Sequence, residues 1–192
     1  MRVLILNGAS RGDRRIHDFV DREEGALEAE GFELTRYDLA QVGLAFCQGC
    51  FDCWVKTPGI CKTHDAANSI SAAYAKSDLV LLVSPIVFGG YGPELKKALD
   101  RSIGLLSPFF EKVKGMTHHR KRYENYPALF AVGFLRSDDP EQAEIFRALA
   151  ERHAVNFRAP AWACEVVEAD AQRLASLVPR VTALASAHAK AS

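Results

Sequence analysis

Arg2-Val3-Leu4-Ile5-Leu6-Asn7-Gly8-Ala9-Ser10-Arg11-Gly12-Asp13 decides the fold. The apolar run Arg2 to Leu6 has the length of a strand buried on both faces. It ends in a Gly/Ser turn that leads into a charged segment of helical character, from about Asp13 to Glu30, which Gly31 stops. Strand, glycine turn and helix open a βαβ unit, and the rest of the chain repeats that alternation. Phe32 to Tyr37 alternates apolar and polar residues and predicts a second, less buried strand. Asp78 to Val83 predicts a third, broken by Ser84-Pro85. Leu95, Ala98, Leu99, Ser102, Ile103 and Leu106 keep helical spacing on one face. Ala128 to Leu135 and Pro160 to Val167 predict the fourth and fifth strands, with a helix from Pro140 to about His153 between them. A last helix gathers Leu174, Leu177, Val178, Val181 and Leu184.

Five strands so connected fit a doubly wound parallel sheet of order 2-1-3-4-5, with helices on both faces. Ligands of such sheets bind beyond the carboxyl ends of the strands where the order reverses. Two stretches stand outside the rhythm and predict long loops, Leu39 to Thr63 and Ser107 to Tyr126. With 192 residues, 48% of them hydrophobic and 25% charged, the chain is expected to form one soluble domain over 1–192, with a Cys-rich loop at 40–63 and a long loop at 107–126. Its 24 basic and 24 acidic side chains cancel, so no overall field draws it to nucleic acid or to an acidic membrane; a small-molecule partner is expected. A first strand at Arg2 and apolar runs as short as Leu79 to Val83 predict neither a signal segment nor a membrane span, hence a cytoplasmic protein. In that reducing compartment five cysteines argue against a disulfide framework.

The turn after the first strand offers amides and a helix N-terminus to a phosphate, with Ser10 adding a hydroxyl and Arg11 a charge. After the third strand comes Ser84-Pro85-Ile86-Val87-Phe88-Gly89-Gly90-Tyr91-Gly92-Pro93-Glu94-Leu95-Lys96. Here Pro85 fixes the exit direction, and Gly89 and Gly90 let backbone approach a flat ligand and present amides to its edge. Phe88 and Tyr91 would flank it with aromatic surface. This stretch, with Leu95-Lys96, Asp100-Arg101 and the earlier Gly8-Ala9-Ser10-Arg11, resembles the NADPH-dependent FMN reductase family of flavodoxin-like proteins. The resemblance runs from Val3 to about Val167. It implies FMN held by Ser10, Arg11 and Arg15 at the phosphate and by Pro85, Ile86, Val87, Phe88, Gly89 and Gly90 at the ring. It also implies NAD(P)H as substrate, a flavin, quinone or similar acceptor, and a homodimer or homotetramer to which Ser107 to Tyr126 contributes. Two positions depart from the family. Asp13-Arg14-Arg15 replaces its small polar pair, and Val87 stands where a ring is usual. A flavin-free binding module is therefore a further reading of the fold.

Cys47, Cys50, Cys53 and Cys61 have the spacing C-x2-C-x2-C-x7-C. Three thiolates in a tight turn and a fourth nearby suit a [4Fe-4S] cluster. The motif is similar to that of the iron-sulfur flavoproteins, which implies an electron carrier as the alternative to the reductase. Zinc, a Cys50/Cys53 dithiol exchanging electrons with a flavin, and free thiols beside a packed Phe51 and Trp54 are the competing readings. Cys164 reads as core. Asp65, and Asp138 or Asp139, read as helix caps, and His17, His64 and His153 as surface or satisfied polar groups. The basic stretch Lys112 to Arg122 reads as solvated or subunit-contacting, and Ser84 lacks a nucleophile elbow.

Overall fold

The apolar run Arg2–Asn7 forms the inner strand β1 of a parallel sheet in a computed structural model that describes residues 1–113, 115–169 and 175–191. The other parallel strands are β2 (Glu33–Asp38), β3 (Leu79–Val87), β7 (Ala128–Phe134) and β8 (Trp162–Val167). Their order is β2-β1-β3-β7-β8, and β4 (Gly90–Tyr91) pairs antiparallel with the end of β3. Period-two alternation sends each central strand's side chains to two separate cores. On one face Leu4, Leu6, Val80, Leu82 and Leu129 pack against α3 (Ala67–Lys76), α4 (Pro93–Arg101) and α5 (Pro140–Asn156). On the other, Val3, Ile5, Leu81, Val83 and Phe130 pack against α1 (Arg14–Ala29) and α6 (Val178–Ala191). β2 lies at the edge and is only half-buried. The sheet therefore has the doubly wound, flavodoxin-like order.

Three expectations are corrected. First, β3 does not break at Ser84-Pro85 but runs on to Val87, with Pro85 in register with Phe134. The pairing of β1 with β3 ends at Asn7 and Val83, so on that side Pro85 faces no strand and its missing N–H breaks no ladder. Second, Ser107 to Tyr126 is not a plain loop, since β5 (Leu106–Val113) and β6 (Met116–Lys121) form an antiparallel hairpin with its own two-stranded sheet. Leu106 thus begins a strand instead of continuing the helical face, α4 ending in a 3-10 turn over Ser102–Leu105. Third, Cys53 and Trp54 stand in a one-turn helix, α2 (Asp52–Val55), inside the cysteine loop. Leu174 of the expected last helix lies outside the described residues; Leu177 and Val181 are buried in the second core.

Candidate functional site

At the β1/β3 crevice the Gly8 amide donates to Val83 O at 2.7 Å. A Cβ on Gly8 would lie 2.7 Å from Leu95 Cβ and 3.0 Å from Val83 O, so only glycine lets α4 approach the strand end. Buried Asn7 accepts from the Ala9 amide at 3.1 Å and donates to Asp38 at 2.7 Å, which ties the turn to β2. His17 braces it from the helix, with Nδ1 3.1 Å from Asn7 Nδ2 and Nε2 3.0 Å from Ser10 O. Ser10, Arg11 and Gly12 are left exposed above this frame. Asp13 is the N-cap of α1 and accepts from the Ile16 amide at 3.3 Å, which sets a carboxylate at the helix N-terminus. Arg11 Nε donates to Ala40 O at 3.2 Å. Arg15 points elsewhere: it donates to Leu135 O at 3.0 Å and to Glu168 O, and its guanidinium lies 5.3 Å from the Phe134 ring. It ties α1 to the ends of β7 and β8, while Arg14 stays exposed.

The third-strand segment is a two-residue hairpin. Val87 pairs with Gly90, and the residues between them, Phe88 and Gly89, have φ of 49° and 73°, as a type I′ turn requires. Phe88 is held 93% exposed at the tip. Gly89 docks on α5, where a Cβ would come within 2.5 Å of Ile145 Cγ2, and its amide donates to Gln142 Oε1 at 3.3 Å. Tyr91 turns inward instead of flanking Phe88; its hydroxyl lies 3.1 Å from His153 Nδ1. Burial pushes the His153 pKa down to about 4, aided by nearby Lys96, so the ring is neutral at pH 7. On the next loop Asp139 caps α5 through the Gln142 amide at 3.0 Å, and Asp138 accepts from the Ala169 amide at 3.2 Å.

Cys47, Cys50, Cys53 and Cys61 line one cavity of about 40 Å³ together with Arg101. Burial, and then the nearness of the other three sulfurs, pushes the Cys53 thiol up. Among the described residues no three His, Cys, Asp or Glu groups are set to hold a single ion. Trp54 fastens the loop to the chain's second sheet: its Nε1 donates to Leu106 O at 3.0 Å, and its ring lies 5.3 Å from Phe51 and 5.0 Å from His119 of β6. Beside it an open cavity of about 750 Å³ shares Cys47, Gly49 and Phe51 and extends between α4 and α5 to Leu99, Leu149 and Phe157. Asp65 does more than the expected capping, since besides accepting from the Ala67 amide it pairs with Arg101, 36 residues away in the chain. The joining of Arg101 to Asp65 and of Tyr91 to His153 are the contacts that sequence patterns did not reveal; no local spacing connects such distant partners.

A glycine turn at the switch point, an exposed aromatic hairpin on the adjoining strand and a cysteine loop define a flavodoxin-like protein of the FMN-reductase type. The chain belongs to the NADPH-dependent FMN reductase family, whose model matches residues 1–165. It is similar to an iron-sulfur flavoprotein of Methanocaldococcus jannaschii, 32% identical over 102 residues, 53% of this chain and 52% of the relative. An iron-sulfur flavoprotein of Archaeoglobus fulgidus is 25% identical over 103 residues, 54% of this chain and 46% of the relative. The match spans about half the length of these curated relatives. In fold it resembles the NAD(P)H:quinone oxidoreductase of Methanothermobacter marburgensis, at a TM-score of 0.67 and 12% identity over 98% of this chain and 93% of the other. An azoreductase of Bacillus anthracis matches at a TM-score of 0.61 and 13% identity over 100% and 96% of the two chains.

Proposed function

We propose that the chain binds FMN across the β1/β3 crevice and works as an FMN-dependent NAD(P)H oxidoreductase for a flavin, quinone or similar acceptor. The observation that carries this reading is the pairing, on adjacent strand ends, of an open phosphate-type turn with a hairpin that holds Phe88 exposed. The residues fit the cofactor through backbone and small side chains: Ser10 and the exposed amides of Arg11 and Gly12 would face the phosphate, with Arg11 and Arg14 as cations. Asp13 opposes a phosphate at the helix end, which predicts modest affinity. Arg15 serves by joining the loops that border the ring. Pro85, Ile86, Val87, Phe88, Gly89 and Gly90 would form the ring's wall, with Val87 supplying aliphatic surface in place of an aromatic stack. When bound, FMN supplies the hydride chemistry, and the protein contributes position and exclusion of water.

The reading extends to one domain over 1–192, supported by two cores on the faces of one sheet. It also includes a cytoplasmic setting, supported by five free cysteines. No helix of the described residues is long and apolar enough to cross a membrane. Exposed Ile145 and Leu149 on α5 and Phe109 and Phe110 on β5 support a homodimer or homotetramer. The second reading is an electron carrier with a [4Fe-4S] cluster on Cys47, Cys50, Cys53 and Cys61, supported by their convergence on one cavity. Anaerobic addition of NADH or NADPH to FMN-loaded protein separates the two. Bleaching at about 450 nm, reversed by a quinone, is expected of the reductase. A flavin that neither nucleotide reduces would overturn it, and iron with labile sulfide in that same protein would favour the carrier.

A further inference from the structure

One buried ion pair closes the base of the cysteine loop. Arg101, at the end of α4, has a side chain only 1% exposed. Its Nη1 and Nη2 donate to Asp65 Oδ2 and Oδ1 at 2.9 Å each, Nη1 donates also to Ala45 O at 2.9 Å, and Nη2 to Thr63 O at 3.4 Å. Asp65 Oδ2 in turn accepts from the Ala45 amide at 3.1 Å. Ala45 stands just before Cys47 and Asp65 just after Cys61, so this pair joins the two ends of the excursion that carries all four thiols. Asn68 completes the frame by bonding both backbone groups of Cys61, at 2.8 and 3.0 Å.

The guanidinium has one donor to spare. Arg101 Nε is buried and has no partner, and Arg101 lines the same cavity as the four cysteines. Thiols lose their protons when they bind a metal, so a loaded four-thiolate site is an anion, with Cys53 and Cys61 half-buried beside Arg101. A fixed cation with a free N–H is the group such an assembly needs beside it.

We infer that Arg101 is the positioning residue of the four-cysteine site: with Asp65 it holds the loop ends together, and its Nε donates to the anionic sulfur assembly formed on Cys47, Cys50, Cys53 and Cys61. The inference rests on the second reading above, that these cysteines hold a metal cluster. Bidentate pairing makes lysine a partial substitute, able to supply charge without the fork.

The test compares wild type with Arg101→Lys, Arg101→Gln and Asp65→Asn, each loaded anaerobically with ferrous and ferric ion in equal amounts and inorganic sulfide, and each also examined metal-free by hydrogen exchange. Expected are roughly 10–100-fold weaker iron retention in Arg101→Gln, partial recovery in Arg101→Lys, and a lowered midpoint potential where the donor is lost. Metal-free Arg101→Gln and Asp65→Asn should exchange faster across residues 45–63 than wild type, with the sheet amides unchanged. Wild type that loads iron while Arg101→Gln matches it in retention and potential would overturn the inference and leave the cluster reading intact. Wild type that retains no iron and sulfide would overturn the cluster reading and, with it, the role of Nε. The clamp would then stand on faster exchange alone and fall if exchange were unchanged. Should Arg101→Gln fail to fold, Arg101→Lys, which keeps a charge but lacks Nε, supplies the comparison of retention and potential, and Asp65→Asn that of exchange.

Discussion

The turn after β1 and the loop that carries the cysteines are fixed by opposite means. The turn is shaped by backbone: Gly8 sits where any Cβ would strike Leu95, and its amide closes on Val83. The cysteine loop has little regular structure beyond a four-residue helix and is held by side chains from α3, α4 and the β5–β6 hairpin. A backbone-built site tolerates changes in its exposed side chains but no added atom at the glycine. A side-chain-built site should fail gradually as each anchor is removed.

The largest effect is expected from Gly8→Val. Its branched side chain must displace Leu95 or the β3 backbone, so thermal or urea unfolding should show a loss of about 3 kcal/mol or more. Wild-type stability would mean that the crevice is looser than the packing of α4 on β1 implies. A comparable effect is expected on acidification. His153 is neutral in the fold, with a pKa of about 4, and unfolds to a ring of pKa 6.5, so the unfolded chain binds the extra proton. Its contribution is complete above pH 6.5 and declines as pH falls from 6.5 towards 4, by about 3 kcal/mol in all. His153→Gln should flatten that part of the stability profile; an unchanged slope would assign the acid sensitivity to other groups.

The smallest effect sharpens the comparison most. Asp13→Ser keeps an N-cap acceptor but removes the charge that faces the turn. Stability should change by less than about 1 kcal/mol, and FMN should bind about two- to fivefold tighter in a fluorescence titration. Weaker binding would show that the carboxylate assists the ligand instead of opposing it.

The strand order was legible because continuous apolar runs such as Leu79 to Val83 are buried on both faces, and the glycine turn was legible because backbone demands leave a residue signature. The β5–β6 hairpin was not. Its side chains are mostly exposed or half-buried, so Phe109, Phe110, His118 and His119 show no alternation between a core and solvent. The continuation of β3 through Pro85 was hidden for another reason, since a proline signals a break unless one knows that the neighbouring strand has already ended. At the site, Asp100-Arg101 and Asp65 were visible as residues, but their joining depends on how α4 crosses the start of α3. Tyr91 reads in the sequence as ligand-facing surface, whereas the tight turn at Phe88-Gly89 rotates it towards His153.

FMN binding depends on the pairing of a phosphate seat in the turn after β1 with a flavin wall in the neighbouring hairpin. Its most direct measurement is a fluorescence titration of cofactor-free protein with FMN and, separately, with riboflavin, which has the same ring and no phosphate. Both should bind saturably, with FMN the tighter and its advantage reduced in Arg11→Gln. Equal affinity for the two ligands, or no saturable binding of FMN, would contradict it.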